Sequence, residues 1–572
     1  MKKRWVINTP PEATKIEELS KKLNCHPVIA NLLLQRGITS SEQAQSFFYP
    51  SLNMLHDPFL MKDMDKAVER LDRAIAQDEK ILIYGDYDVD GTTAVSLLYK
   101  YLKHHCNSDN LEYYIPDRYT EGYGVSIKGI DYAAENGFSL MLITDCGIKA
   151  VEKVKYANSR QVDIIICDHH TPGDTEAIAV LDPQRPDCPY PYKWLSGCGV
   201  SFKLVQAHSL KHNLPMSELY KLLDLLCVSI ASDIVPITGE NRILAYFGLQ
   251  QLNSNPSLGL KTIIKISGID KEITINDIVF RIGPRINAAG RVESGRKSVE
   301  LLTADEKCSA AGIASDINTF NDQRKKLDHD ITEEAIRHIN QSELEPSKKT
   351  TVLFNANWHK GVIGIVASRL TESFYRPTII LTESNGLATG SARSVEGFDL
   401  YYAISQCSEF LENYGGHKYA AGLTLKIENI EPFKQKFERI VRETIDDEML
   451  TPQINIDAKI KLTDITPDLY HMLQKFAPFG PNNTIPVFMT EKVTNFIGTK
   501  RVGRNNEHLK LVIVDDTRAC NDRSGIGFGM GHLYDKVNSG GFFDICYTLQ
   551  ENEFMGKNDI QMIVKDIRLR EE

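Results

Sequence analysis

Between Ile81 and Pro183, short apolar runs alternate with segments of helical period, and no other feature restricts the fold of this chain so strongly. ILIYG (81–85) leads through a loop of acids into TTAVSLLYKYL, and LEYYIP (111–116) leads into SIKGIDYAAENG. SLMLIT (139–144) leads into KAVEKVKYANS, and VDIIIC (162–167) is followed by AIAVLDP (177–183). Strands that alternate with helices of this size imply right-handed βαβ units on a parallel sheet.

At 572 residues the chain has room for three to four domains of about 150 residues each. Residues 1–70 are mixed, helical in flavour and without recognisable chemistry, an N-terminal extension. The α/β pattern fills 71–240. From about Ser196 to Asn253 the reading is mostly helical, and 296–343 resembles long amphipathic helices, so 241–345 is expected to connect two lobes. LEPSKKT (344–350) is a polar break. Beyond it TTVLFNA, the helical GVIGIVASRL, PTIILT and LATGSAR form a second α/β unit, placed at 346–448. DDEMLTPQ (446–453) reads as the next linker, and the short strands HLKLVIVD, SGIGFGM and FFDICYTL suggest a small β-barrel at 449–572. The fold class expected is therefore multidomain α/β with a C-terminal barrel.

Composition sets limits on function. With 42% hydrophobic and 25% charged residues the chain is globular rather than disordered or fibrous. Lys plus Arg (66) against Asp plus Glu (76) gives a net charge of −10, which excludes a protein that coats nucleic acid with its whole surface. No run of 18 apolar residues occurs, so no transmembrane helix is expected, and MKKRWVINTPPE carries no apolar stretch of a secretory signal. Eleven cysteines without a CxxC pair argue against a disulfide framework or a Cys-based zinc site, and a reduced cytoplasmic location is expected.

The chemistry gathers at strand ends. ILIYG runs into DYDVDG with Asp86, Asp88 and Asp90; SLMLIT ends at Asp145; VDIIIC ends in Asp168, His169 and His170. Ligands of open parallel sheets bind beyond the carboxyl ends of the strands, so three successive strands aim acids and imidazoles at one crevice. One such cluster could be a turn device, because Asp bonds its own backbone. Three at one rim point instead to divalent cations that compensate carboxylate repulsion. ASDIVP adds Asp233, which alone could be an ordinary helix-end acid. Oxygen and imidazole ligands suit Mn²⁺ or Mg²⁺ better than zinc. Two ions sharing a carboxylate would clamp a phosphoryl group and acidify a bound water, the two-metal route to phosphoester hydrolysis. The substrate does not follow from these residues.

Taken together, DYDVDG, TDCGI and DHH resemble the DHH phosphoesterase superfamily. RINAAGR (285–291), WHKGVIGIVASRL (358–370), GSARS (390–394) and YGGHKYAAG (414–422) resemble its RecJ branch, single-strand-specific 5′-to-3′ DNA exonucleases, in the same order along residues 75–572. The resemblance implies a DHH domain, a helical connector, a DHHA1 domain and an OB-fold. It implies two divalent cations, Mn²⁺ or Mg²⁺. Asp88 and Asp145 would hold one ion, joined by Asp86 directly or through water. Asp90, Asp145, His169 and Asp233 would hold the other. His170 would lie near the scissile phosphate, orienting it or moving a proton, and Asp168 would support a ligating His. Many superfamily members place a His four residues before the acid corresponding to Asp88. Tyr84 stands there in this chain, so the first ion site is expected to be weaker or more open.

The same resemblance assigns a substrate path. RIGPRINAAGRVESGRK (281–297) holds five basic residues against Glu293. A charge run is usually a solvated face, but Arg285, Asn287 and Arg291 within RINAAGR match the family and suit phosphate oxygens. Arg118 would contact a 5′-phosphate and Tyr123 would stack on a base, unless Tyr123 merely packs its loop. Ser391 and Arg393 would fix the terminal phosphate. Gly415, Gly416 and His417 would form a turn that approaches the substrate closely. His359 and Lys360 are weaker candidates, since residues at helix starts often serve as caps. Lys500, Arg501, Arg504 and Lys510 offer a loose DNA-facing surface, or a solvated hairpin. The implied partner is single-stranded DNA with a 5′ end, in DNA repair and recombination. A single-strand-binding protein, a RecQ-type helicase and a monomeric state follow from the family alone. The competing readings are a DHH phosphodiesterase for short oligonucleotides or cyclic dinucleotides, and a non-catalytic DHH replication scaffold.

Overall fold

In the computed structural model, which describes residues 3–341, 347–515, 522–554 and 557–570, the chain separates into two units. One spans Leu55–Thr451; the other joins Met1–Met54 to Pro452–Glu572.

β1 (Arg4–Ile7) opens the chain. Within Leu55–Thr451, the apolar runs form β2 (Lys80–Gly85), β3 (Leu111–Tyr114), β4 (Phe138–Thr144), β5 (Asp163–Cys167) and β6 (Ala179–Leu181). They make an all-parallel sheet in the order β3-β2-β4-β5-β6, as the alternation requires. Helices Val89–Leu102, Ile127–Glu135 and Val151–Ser159 provide the crossovers. Strand register fixes where the acids leave the sheet. Gly85 pairs with Thr144, Thr144 with Cys167 and Cys167 with Leu181, so four strands end at one level. The next residues, Asp86, Asp145, Asp168 and Asp182, therefore emerge side by side.

The helices after β6 include Gly197–Lys211 and Leu223–Ser232, both largely buried. Helices Gly283–Val292 and Arg296–Leu302 then lead into Lys307–Gln341, whose 35 residues span about 50 Å. Its last turns pack Ile331, Ala335 and Ile339 against Val362, Val366 and Leu370 of the second lobe. That lobe holds β7 (Thr351–Phe354), β8 (Thr378–Ser384), β9 (Leu387–Arg393), β10 (Leu411–His417) and β11 (Ala420–Leu425), ordered β10-β11-β9-β8-β7. Gly415, Gly416 and His417 are thus the end of a strand rather than a turn: they pair with Gly422, Ala421 and Ala420. The antiparallel pairing with β11 supplies a ladder that local sequence reads as loop.

In the other unit, β12 (Gln453–Ile456) runs parallel to β1. β13 (Ala458–Lys459), β14 (Phe488–Asn495), β15 (Lys500–Val502), β16 (His508–Val514), β17 (Arg523–Gly527), β18 (Phe543–Phe554) and β19 (Lys557–Leu569) form one sheet, β13-β14-β18-β19-β17-β16-β15. β14 also pairs with β16, so the ladder curls back on itself. The N-terminal residues are part of this core: Leu19, Ile29, Leu32 and Leu33 lie in one buried cluster with Phe488, Leu511, Ile545 and Tyr547. A segment without motifs thus closes the apolar surface of the C-terminal sheet. Replacing fully buried Leu32 by Ala should cost about 2–5 kcal/mol, read as an earlier guanidinium unfolding transition. An unchanged transition would remove the N-terminal segment from this core.

Candidate metal centre and substrate cleft

The loop after β2 turns sharply because Gly91 approaches Asp86 too closely for any side chain; a Cβ there would lie 2.4 Å from the Asp86 carbonyl oxygen. Asp88 caps the following helix by accepting from the Gly91 N–H at 3.0 Å. After β4, Asp145 adopts φ +60°, a left-handed conformation uncommon for a residue with a side chain and typical of functional sites. Asp86, Asp88 and Asp145 consequently offer ligand atoms within 4.8 Å of one another, as do Asp90, His169 and Asp233.

His169 is the focus. Its Nε2 lies 3.3 Å from Asp145, 3.6 Å from Asp233 and 3.7 Å from Asp90 carboxylate oxygens. It is buried and has no hydrogen-bond partner, and Asp86 Oδ1 is likewise buried and unpartnered. Burial and the Asp88 charge push the Asp86 carboxyl up to about 8. Burial and the neighbouring acids raise Asp145 and Asp233 well above the ordinary range, while burial holds His169 down in its neutral form. A neutral imidazole lone pair surrounded by crowded carboxylates is a donor set short of cations, and it fits two hard or borderline divalent ions that share Asp145.

Two acids here are already satisfied. Asp90 accepts from the N–H groups of Gly197 and Cys198 at 2.7 and 2.9 Å, and from Ser229 Oγ at 2.6 Å. The positive end of helix Gly197–Lys211 thus holds that charge, an anchor that no motif in the sequence announces. Asp168 accepts from the N–H groups of Ile148 and His169 and from His170 Nδ1 at 2.7 Å. Its support goes to His170, not to the ligating His169 as expected, because the chain turns after β5 and brings the second imidazole back over the carboxylate. Against the penalty of burial, these bonds lower Asp168 and raise His170. Since a carboxylate only accepts, His170 carries its proton on Nδ1, and Nε2 lies 3.2 Å from the Tyr123 hydroxyl.

Tyr84 does not reach the metals. It is fully buried, stacks on Tyr114, donates from its hydroxyl to Gly124 O and accepts from Ser126 N–H. It braces the loop that carries Tyr123 and supplies no ligand atom to the rim. Tyr123 itself is 57% exposed, so its ring is presented to solvent instead of packing the loop.

Four guanidinium groups border the carboxylates. Arg118 lies 4.0 Å over the Tyr87 ring. Arg291 donates to Gly361 O at 2.8 Å, and the Tyr119 hydroxyl donates to the Arg291 carbonyl, tying the first lobe to the second. Burial and the charges of Arg118, Arg324 and Arg393 bring Arg291 down to about 10. Arg324, from the long helix, lies outside every motif; it donates to Asn321 Oδ1 at 3.0 Å. Arg393 donates to Ser391 Oγ at 2.9 Å. Both stand against Gly364, in the first turn of helix Ile363–Phe374, where N–H groups attract anions. His417, exposed at the end of β10, feels the charges of Arg393 and His170. Arg285 instead bonds Arg281 O and Asn318, and Asn287 is half-buried one turn before Arg291. In the C-terminal unit Lys500 pairs across the ladder with Lys510, Arg504 is exposed, and Arg501 is engaged by Asp535 at 2.6 Å.

Comparison with known proteins agrees with this geometry. Models of the DHH family N-terminal domain, the DHHA1 domain and the RecJ OB domain match residues 80–230, 347–443 and 456–566. A single-stranded-DNA-specific exonuclease RecJ of Bacillus subtilis is 36% identical, covering 100% of this chain and 71% of that protein. The Escherichia coli protein of that name is 29% identical over 95% and 96% of the two chains. A crystal structure of Thermus thermophilus RecJ in complex with Mn²⁺ superposes with a TM-score of 0.84 at 25% identity, covering 100% of this chain and 80% of that one. An exonuclease RecJ bound to manganese matches with a TM-score of 0.59 and 30% identity, over 70% and 98%. The chain belongs to the RecJ family of the DHH phosphoesterases.

Proposed function

We propose that the protein is a single-stranded-DNA-specific exonuclease that removes 5′-mononucleotides in the 5′-to-3′ direction by two-metal phosphodiester hydrolysis, in DNA repair and recombination. The observation that carries this reading is the unpartnered His169 Nε2 facing Asp90, Asp145 and Asp233, beside a cluster of arginines. Asp86, Asp88 and Asp145 would hold one Mn²⁺ or Mg²⁺, and Asp90, Asp145, His169 and Asp233 the other. When bound, these ions neutralise phosphoryl charge and supply an acidified water.

The chain's own residues do the rest. Asp168 holds His170 with Nε2 turned toward Tyr123, placed to orient the scissile phosphate or pass a proton. Arg118, Ser391 and Arg393 would grip the terminal phosphate, and Arg291 would meet the next one, with Arg285 and Asn287 farther along. Tyr123 offers a stacking face that accepts any base, as a sequence-independent nuclease requires. Gly415 and Gly416, without side chains, let the strand approach His417. The complete ligand set speaks against a non-catalytic scaffold, and the RecJ OB domain speaks against short oligonucleotides as the principal substrate. Lys500, Arg501, Arg504 and Lys510 would touch DNA on that domain. A single-strand-binding protein and a RecQ-type helicase as partners, a monomeric state and a cytoplasmic location rest on the family resemblance; among the described residues no helix is long and apolar enough to cross a membrane.

With Mn²⁺, the protein should release nucleotides from 5′-phosphorylated single strands and spare blunt duplex; release only from the 3′ end would reject the polarity. Asp145→Ala should abolish turnover with an unchanged circular dichroism spectrum. Tyr123→Ala should lower kcat/KM by a factor of roughly 5–150, the equivalent of about 1–3 kcal/mol of stacking. Tyr123→Phe should retain most of the rate, and equal losses in both variants would assign the effect to the hydroxyl. Metal removal should alter the pH dependence of stability. Asp86, Asp88, Asp145 and Asp233 bind protons more tightly folded than unfolded. Their contribution is therefore full below about 4 and lost as pH rises through the folded value, about 8 for Asp86. In EDTA the Tm should fall between pH 5.5 and 8.5 more steeply than in Mn²⁺, and parallel slopes would contradict charge compensation by the ions.

A further inference from the structure

Helix Gly197–Lys211 grips Asp90 at its first turn, and a second convergence of imidazoles on an acid lies at its other end. His208 and His212, one helical turn apart, direct Nε2 at the same oxygen, Asp72 Oδ1, at 3.4 and 2.8 Å. Asp72 belongs to helix Met64–Ala76. The three offered atoms lie within 4.8 Å of one another. The helix spans about 22 Å, so this cluster is well separated from the catalytic rim.

We propose that Asp72, His208 and His212 form a zinc site that clamps helix Met64–Ala76 to helix Gly197–Lys211. A tetrahedral ion with bonds of about 2.0–2.1 Å holds its ligand atoms about 3.3 Å apart, close to the two separations seen here. Imidazoles at i and i+4 are the spacing by which one helix face presents two ligands to zinc. His208 is also prepared for the role. Its Nδ1 lies 2.7 Å from the Tyr101 hydroxyl, which lies 2.7 Å from Ser209 Oγ. If Tyr101 donates to Ser209, it accepts the Nδ1 proton and leaves the Nε2 lone pair facing Asp72, the outer support that ligating imidazoles usually have. Lys211 Nζ, 2.9 Å from Asp72 Oδ2, occupies the other carboxylate oxygen and turns Oδ1 toward the imidazoles. The His212 side chain is 44% exposed, which gives the ion an entry path and leaves the fourth position to water. Zinc binding replaces the proton on His212 Nε2, now shared with Asp72, and releases it to solvent.

The test is a zinc titration of the full chain against a chromophoric chelator, with the catalytic centre saturated by millimolar Mn²⁺. Wild-type protein should bind one more equivalent of Zn²⁺ than His212→Ala, and Zn²⁺ should raise its Tm while leaving that of His212→Ala unchanged. His212→Cys, which restores a ligand, should recover the extra equivalent, and Co²⁺ should give an intense tetrahedral absorption in wild type and His212→Cys alone. Nuclease activity in Mn²⁺ should be the same for wild type and His212→Ala. Equal zinc stoichiometry in wild type and His212→Ala would overturn the proposal.

Discussion

Carboxylate repulsion at the ends of three parallel strands is the constraint around which this structure is arranged. Two unit charges 4 Å apart interact by about 4 kcal/mol at an effective dielectric of 20, and this rim gathers Asp86, Asp88, Asp90, Asp145 and Asp233 around His169. Protein groups relieve only part of it. Asp90 and the adjacent Asp168 each receive several hydrogen bonds. Asp86, Asp145 and Asp233 are left protonation-prone, with their ionised forms disfavoured by burial and by one another. The division has a logic. Asp168 is committed to positioning His170. Asp90 is fixed in place by the helix end that grips it and still faces His169, beside the unsatisfied acids that keep lone pairs for cations.

The arginines answer the same problem from the other side of the cleft. They do not neutralise the acids directly. Arg118 is held over Tyr87 and Arg291 is committed to Gly361 O, so each guanidinium stands near the carboxylates without closing onto them. Burial, with the repulsion of Arg118, Arg324 and Arg393, brings Arg291 down to about 10. A phosphate placed among Arg118, Arg291 and Arg393 relieves that repulsion, as divalent ions relieve the acids. The cleft is thus polarised into an acidic and a basic half, and a phosphodiester bound with divalent cations would satisfy both. The net charge of −10 says nothing about this, because the decisive fields are local.

Much of the rim was legible in the sequence because its information is local. An apolar run that ends in Asp places that Asp at a strand terminus, and βαβ handedness brings successive termini together. What was not legible depends on side-chain direction or on distant pairing. No spacing rule tells whether Asp168 supports His169 or His170; the turn after β5 decides it. Tyr84 differs from the usual residue at its position, yet its consequence depends on a ring stacked on Tyr114 and a hydroxyl bonded to Gly124, contacts between separate segments. The same holds for the N-terminal residues, whose apolar positions find their partners more than 400 residues later, as Asn31 does with the Asp457 carbonyl. Gly415 and Gly416 read as a turn locally, and only the strand beside them makes them a ladder.

One helix gives these parts mechanical unity. Gly197–Lys211 presents its positive end to Asp90 and carries Lys211 at its negative end, the charge placement that the helix dipole favours at both termini. Between the ends it is almost wholly buried, and the Lys203–Glu240 pair at 2.7 Å, with Gln206 bonded to the same ammonium, keeps its middle from shifting. Breaking such a pair leaves a buried charge, at a cost of about 3–5 kcal/mol, so the helix is fixed in register rather than free to slide. Asp90 can therefore remain where three neighbouring acids repel it, because the N–H groups that hold it belong to a helix fixed at its centre.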